Sequence, residues 1–311
     1  MPVPAPGTEH GALSTAVFPR KIYDIQLPGR GVMRLGERTL VMGIINVTPD
    51  SFADGGRFLE PSAAADAVCA LEQAGADIID IGGESTRPGA QPLTVEEELA
   101  RVLPVLRRIA GRVRTPLSID TYKGEVARIA LAEGVSIVND TSGLRYDPSL
   151  AQVVAAAGVP VVLMHTRGRS REMYREAAYR DVGDEVSREL AESACTAVAA
   201  GVRRDQIIVD PGVGFAKRPE HSYMALASLP ALASLDRPIL VGPSRKSFLQ
   251  AALGDRTPEA RRWGTAAAVA AGVLYGAHII RVHDVAEMVD VVRVADKIRE
   301  ALKQRATSDE Q

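Results

Sequence analysis

The stretch "QIIVDPGVGFAK", Gln206 to Lys217, decides the fold. Its branched apolar run, Ile207-Ile208-Val209, reads as a strand buried on both faces, since no polar residue alternates with the apolar ones. The run stops at Asp210 and passes into a glycine-rich turn. A single aspartate at a strand end is ordinary turn chemistry, because its carboxylate bonds nearby backbone N–H groups and Pro211 stiffens the bend. What makes Asp210 informative is that the same unit recurs along the chain.

From Leu40 onward, apolar runs return at intervals of roughly thirty residues, each followed by a helical pattern. They are "LVMGIIN", "ADIID", "PLSID", "SIVN", "PVVLMH", "QIIVD", "PILVG" and "HIIRVH". Between them, "TVEEELARVLPVLRRIA" sets Leu99, Val102, Leu103 and Leu106 on one helical face and opens with Thr94 and Glu97 at capping-box spacing. "DVAEMVDVVRVADKI" repeats the device with Asp284 and Glu287, and turns Val285, Met288, Val292 and Ala295 inward.

Strands covered on both faces and joined through helices pair in parallel, and eight of them predict an α/β fold closed as a (β/α)8 TIM barrel. The alternative, a doubly wound open sheet, lacks the G-x-G-x-x-G turn of its dinucleotide-binding version after the first strand. Ahead of the barrel, two short extended runs around Pro28-Gly29-Arg30-Gly31 predict a β-hairpin able to cap one end. The expected layout is a flexible tail over 1–19, one barrel domain with its hairpin over 20–305, and a C-terminal tail over 306–311.

Composition narrows the function classes. At 311 residues, 46% hydrophobic and 24% charged, the chain can bury a large single core. Its 37 basic residues are scattered among 39 acidic ones, for a formal net charge of -2, so there is no basic stripe to hold a nucleic acid. No run approaches the ~18 apolar residues of a membrane span, and the N-terminus lacks a signal-peptide pattern, so the expected compartment is the cytoplasm. The two cysteines, Cys69 and Cys195, lie far from any metal-ligand spacing and read as core thiols.

The polar residues at the run ends are Asn46, Asp80, Asp120, Asn139, His165, Asp210, the Ser244–Lys246 group, and Arg281 with His283. In a barrel they converge on the C-terminal face, where catalytic residues of this fold collect. Taken singly, each could be a turn or cap residue. As a set, Asp120, Asn139 and Asp210 offer acceptors for paired N–H groups, which suits a flat heterocycle with an amidine-like edge. Lys246, Arg281 and His283 follow strands seven and eight, where this fold tends to hold phosphate. Asn46 supplies a neutral oxygen suited to Mg²⁺ carried with phosphate groups. Two glycine-rich loops, "NVTPDSFADGGRF" and "GGESTRPGA", flank the ring. Phe52 in the first and Phe215 in "GVGFAK" are large apolar side chains suited to covering a ligand.

In order, "NVTPDSFADGG", "DIGGESTRPGA", "SID", "VND", "MH", "DPGVGFAK", "SRKS" and "RVHD" closely resemble the dihydropteroate synthase family, from about Leu40 to the last helix. The resemblance implies an enzyme that joins 6-hydroxymethyl-7,8-dihydropterin diphosphate to p-aminobenzoate in folate synthesis, with Mg²⁺, as a homodimer. Carried over by motif, the pterin pocket would comprise Asp120, Asn139, Asp210 and Lys246, with Met164 lining it and Arg281 stacking on the ring. Arg281 and His283 would clamp the diphosphate, Asn46 would hold Mg²⁺, and Asp80 would border the same site. Thr86, Arg87, Pro88, Phe52, Phe215 and Ser247 would shape the p-aminobenzoate side, where sulfonamides bind. Lys246, Arg281, His283 and Asp120 are the expected catalytic group. Departures are Ala53 where Ser is frequent, Pro243 before Ser244, and extra arginines in "MHTRGRSREMYREA", none of which removes an assigned group. Two alternatives stand beside this reading: a pterin-binding methyltransfer domain on a similar barrel, and a pterin-binding paralogue without turnover.

Overall fold

Eight parallel strands curl until the first and last in spatial order meet. The computed structural model describes residues 18, 20–48, 60–85, 89–169, 175 and 177–309, with side chains described as far as 304. The barrel strands are β3 (Leu40–Asn46), β4 (Ile78–Gly82), β5 (Leu117–Asp120), β6 (Ile137–Asp140), β7 (Val161–Met164), β8 (Ile207–Asp210), β9 (Leu240–Val241) and β10 (Ile279–Val282). Their order around the sheet is β8-β7-β6-β5-β4-β3-β10-β9. A parallel bridge between Val209 and Ile239 joins β8 to the β9 side, and the Val209 N–H donates to the Pro238 carbonyl at 3.0 Å. The run "PILVG" forms continuous strand only over Leu240–Val241, the shortest of the eight, with Ile239 held by the isolated bridge.

Outer helices cover the barrel: α1 (Pro61–Gln73), α2 (Val95–Ile109), α3 (Gly124–Ala132), α4 (Ser149–Ala157), α5 (Val182–Ala199), α6 (Pro219–Ala227), the short α7 (Gln250–Leu253), α8 (Arg262–Leu274) and α9 (Val285–Asp309). The capping box that opens α2 is present in full: Thr94 accepts from the Glu97 N–H, and Glu97 accepts from the Thr94 N–H. A cap of this kind contributes about 1 kcal/mol. The buried face of α2 is turned from the predicted one. Val105 and Ile109 are buried with Val102 and Leu106, Leu99 and Leu103 are half-buried, and Glu98 points inward. On α9 the inward face is the predicted one, Val285, Met288, Val292 and Ala295. Cys69 packs against the core, but Cys195 is exposed on α5, opposite the face that buries Leu190 and Ala197.

The alternation of each strand explains why the runs are apolar throughout. Outward residues such as Ile79, Ile119, Val161, Val209 and Ile280 belong to the large core under the helices. Inward residues Leu40, Met42, Ile78, Ile137, Val162, Ile208, Leu240 and Ile279 form a second core inside the barrel. Burying each such side chain contributes about 1.5–3 kcal/mol.

That inner core is completed by the predicted hairpin, β1 (Tyr23–Leu27) and β2 (Gly31–Leu35), whose Ile25, Leu27, Met33 and Leu35 plug the N-terminal end. The hairpin turns because Gly29 adopts φ +73° after Pro28, letting the Arg30 N–H reach the Leu27 carbonyl at 2.9 Å. Just before it, Arg20 is buried and donates to the Gly36 carbonyl, Thr39 Oγ1, the Ala277 carbonyl and Asp296. Phe18 packs edge-on against Tyr275, and its carbonyl accepts from Arg299.

Candidate active site

Because side chains alternate along a strand, the residue two positions above each inner-core residue also points into the barrel, but at its C-terminal mouth. Stepping up from Ile78, Ser118, Ile137, Val162, Ile208 and Ile279 gives Asp80, Asp120, Asn139, Met164, Asp210 and Arg281. On β3 the same step from Ile44 gives Asn46. One geometric rule therefore gathers most of the predicted ring. It also corrects a detail: Asp80 and Asn139 do not end their strands, which continue to Gly82 and Asp140.

Arg281 is the hub. Its Nε donates to Asp80 Oδ2 at 2.6 Å, and its Nη2 donates to Asp120 Oδ2 at 2.6 Å. Asn139 Nδ2 donates to the same oxygen of Asp80 at 2.8 Å. Asp80 is fully buried, and its Oδ1 has no hydrogen-bond partner among the described residues. Burial pushes the Asp120 carboxyl up to about 7 against the pull of Arg281. Burial also opposes the charge on Arg281, yet Asp80 and Asp120 hold its pKa above the ordinary arginine value. Breaking such a buried pair leaves an uncompensated charge and costs about 3–5 kcal/mol.

Across the mouth, Asp210 ends β8 and takes the Gly212 N–H at 2.7 Å, while its pKa is raised by burial against the pull of Lys246. Gly212 is required there. At φ +65°, a Cβ would fall 1.9 Å from the His165 carbonyl oxygen. Lys246 donates to the Val213 carbonyl, and its Nζ lies 4.3 Å from the centre of the Phe215 ring. Burial lowers its pKa to about 8, partly offset by Asp210.

The preceding Arg245 adopts φ +58°, a conformation that costs a non-glycine residue about 1–3 kcal/mol. It is held by its N–H on Thr265 Oγ1 at 2.9 Å and by its guanidinium on both oxygens of Asp284, at 3.0 and 2.5 Å. Asp284, expected as a helix cap, thus anchors the turn that presents Lys246.

His283 follows β10. Its N–H donates to Ser244 Oγ at 3.1 Å, and its Nδ1 lies 2.9 Å from the same hydroxyl. Burial, together with Arg245 and Arg281 nearby, lowers its pKa to about 3. The ring is therefore neutral near pH 7. With the Ser244 hydroxyl donating to Nδ1, the Nε2–H is left as a donor. Ser247 is exposed on the 3-10 turn Ser247–Leu249. Phe52, Thr86, Arg87 and Pro88 lie outside the described residues.

Several charged residues at this end were not predicted. Lys123 is buried between Glu84 and Glu98, and Glu84 also accepts from the Leu93 N–H at 2.9 Å and the Tyr122 hydroxyl at 3.0 Å. In the arginine-rich segment, Arg167 pairs with Glu185 and Glu189, and the Arg169 guanidinium lies 4.5 Å from the centre of the Tyr146 ring. Beneath the Asp210 turn, Lys217 is buried against His165. Lys123, Arg167 and Lys217 follow strand ends, whereas Glu98, Glu185 and Glu189 lie on α2 and α5, where the local pattern does not mark them.

The donor set also allows a test of fit for Mg²⁺. Among the described residues, no group of three or more His, Cys, Asp or Glu side chains converges on a metal position. Asn46, in register with Gly82, offers one neutral oxygen two residues above the Ile44–Asp80 pair, and Asp80 keeps an unpartnered Oδ1 among the described residues. So sparse a set fits an ion that keeps waters and shares substrate phosphate oxygens.

A barrel mouth that gathers buried acids around Arg281 and Lys246 is the arrangement of an enzyme binding a polar heterocycle and an anion, and residues 42–283 match the family described as "pterin binding enzyme". The chain belongs to that family. Its relatives there include dihydropteroate synthases. The Synechocystis sp. dihydropteroate synthase is 43% identical over 270 residues, 87% of this chain and 93% of the relative. Among solved structures, Xanthomonas albilineans dihydropteroate synthase with 4-aminobenzoic acid superposes with a TM-score of 0.82 at 42% identity, covering 90% of this chain and 99% of that one. The Yersinia pestis dihydropteroate synthase with a sulfonamide drug gives 0.83 at 38% identity, covering 89% and 99%.

Proposed function

We propose that this chain condenses 6-hydroxymethyl-7,8-dihydropterin diphosphate with p-aminobenzoate, releasing pyrophosphate and 7,8-dihydropteroate. The observation that carries the reading is the single bowl in which Arg281 links Asp80 and Asp120 opposite Asp210 and Lys246. The relatives support this synthase reading over the methyltransfer alternative.

In the proposed roles, Asp210 accepts the paired N–H edge of the pterin, with Asn139, Asp120 and Met164 around the ring and Lys246 beside it. Arg281 and the Nε2–H of His283 face the diphosphate. As the bond from the methylene carbon to the diphosphate oxygen breaks, these donors stabilise the departing charge, and the electron-rich ring stabilises the carbon. The amine nitrogen then bonds to that carbon, and the proton it loses passes to the released pyrophosphate or to solvent. An arylamine is already unprotonated near neutral pH, so no strong base is needed, only positioning. Mg²⁺ held by Asn46 would neutralise phosphate charge when bound. Phe215 and Ser247, with Thr86, Arg87, Pro88 and Phe52, are assigned to the p-aminobenzoate side, where sulfonamides would compete.

The same proposal treats residues 20–305 as one domain, supported by the Arg20–Asp296 pair that ties its ends together. It makes the protein a cytoplasmic homodimer. Support for self-association is the exposed apolar series Val294, Ile298 and Leu302 on α9, with Trp263 76% exposed at the start of α8. No helix among the described residues is long and apolar enough to cross a membrane.

Incubation with the pterin diphosphate, p-aminobenzoate and Mg²⁺ is expected to yield dihydropteroate by mass spectrometry, and sulfonamide is expected to raise the KM for p-aminobenzoate. A folded, Mg²⁺-supplied sample that forms no product would overturn the assignment.

A further inference from the structure

Beneath the Asp210 turn, Lys217 is one of the largest fully buried side chains of the molecule, 1% exposed. Its Nζ lies 2.8 Å from His165 Nδ1 and donates to the Phe215 carbonyl at 3.1 Å. The other nitrogen of the imidazole, Nε2, lies 3.1 Å from Glu189 Oε2. A carboxylate can only accept, so Nε2 carries the proton and Nδ1 accepts from Lys217. Burial and the nearby Lys217 lower the His165 pKa to about 4, which agrees with a neutral ring.

These groups are tied to the Asp210 turn at several points. The His165 N–H donates to the Asp210 carbonyl at 2.9 Å, and the Phe215 N–H donates to the Gly212 carbonyl at 3.0 Å. The Tyr179 hydroxyl donates to the Ala216 carbonyl at 3.0 Å, and Ala216 sits at φ +47°. A buried lysine is costly, and where packing is the only demand an apolar side chain of similar volume serves as well or better. Its presence here needs another reason, and the geometry supplies one. The chain Glu189–His165–Lys217 ends on the carbonyl of Phe215, five residues after Asp210, and fixes the far side of the turn that carries both.

We propose that Lys217 is a positioning residue for substrate binding: through His165 and the Phe215 carbonyl it sets where Asp210 and Phe215 stand in the mouth. It touches no reacting atom. The inference rests on the synthase reading and adds to it a strut below the pterin and p-aminobenzoate sides.

The test compares the full-length parent with Lys217→Met, which removes the N–H donors at similar volume. The expected result is a KM for p-aminobenzoate and a calorimetric Kd for the pterin diphosphate each weakened about tenfold or more, with kcat at saturation changed far less. A purely structural lysine would instead lower the melting temperature and leave KM and Kd alone, and that result overturns the proposal.

A second pair of variants decides the matter if Lys217→Met does not fold. His165→Asn keeps an acceptor at the Nδ1 position and gives up the link to Glu189, whereas His165→Gln keeps the link and gives up the acceptor. His165→Asn is expected to bind the pterin diphosphate more tightly than His165→Gln, and equal or reversed affinities overturn the proposal. A parent that makes no dihydropteroate defeats the synthase reading first; an active parent matched by its variants defeats only this inference.

Discussion

The two ends of the barrel are built from the same strands and answer opposite demands. At the N-terminal end, Leu40, Met42, Ile78, Ile208 and Ile279 meet Ile25, Leu27, Met33 and Leu35 of the hairpin in a buried apolar plug. Two residues beyond Ile78, Ile208 and Ile279 the inward side chains are Asp80, Asp210 and Arg281, with Asp120 and Asn139 following Ser118 and Ile137 in the same way on β5 and β6. A step of about 7 Å thus separates the layer that holds the fold from the layer that binds. The mouth keeps buried acids, a strained Arg245 and a lysine of lowered pKa, while the plug and the larger core under the helices supply the apolar burial that offsets them.

Substitutions that strike only one end test this division. Arg281→Met should have the largest effect, since it removes the donor shared by Asp80 and Asp120. Product formation should fall by about 100-fold or more, and denaturant titration should show a loss of about 3–5 kcal/mol. At the other end, Leu35→Ala empties part of the plug and should cost about 2–5 kcal/mol in the same titration. Its kcat/KM at 25 °C should stay near the parent value. A large drop in activity there would mean the two layers are coupled.

Asp210→Asn is milder. Exchanging a charged acceptor for a mixed donor and acceptor should weaken pterin binding by about 1.5–3 kcal/mol in calorimetry. The smallest effect is one of pH. Lys246 is charged below its lowered pKa of about 8 and neutral above it, so kcat/KM should bend downward above about pH 8. Lys246→Arg should move that bend upward, and an unmoved bend would assign it to another group.

Much of this plan was legible in the sequence, and the reason is periodicity. β3 spans Leu40–Asn46 as the run "LVMGIIN" predicts, and the other runs fall on strands to within a residue or two. The polar ring was legible for the same reason: Asp120, Asp210 and Arg281 interrupt runs that are otherwise apolar. What stayed hidden were charged side chains whose partners lie far away in the chain. Arg20 is buried through Asp296, Lys123 through Glu84 and Glu98, and Lys217 through His165. In a sequence each looks like a solvated surface charge, because burial is decided by tertiary pairing and not by local pattern. The inward turn of Glu98 shows the same limit. A hydrophobic stripe fixes a helix face only approximately, and the buried set of α2 includes Glu98, paired with Lys123, beside Val105 and Ile109.

The seam between β8 and β9 gives the mouth a further property. Elsewhere each strand is laddered to both neighbours, whereas here one bridge and the Val209–Pro238 bond hold the sheet shut, below the two walls that carry Asp210 and Lys246. Backbone amides flanking this seam should exchange with deuterium sooner than those of β3 and β4, because fewer bonds must open together to release them. The bowl is then stiff around most of its rim and compliant along one line. Small changes in its width would be taken up there, along the line where Ile208 of β8 and Leu240 of β9 meet the plug.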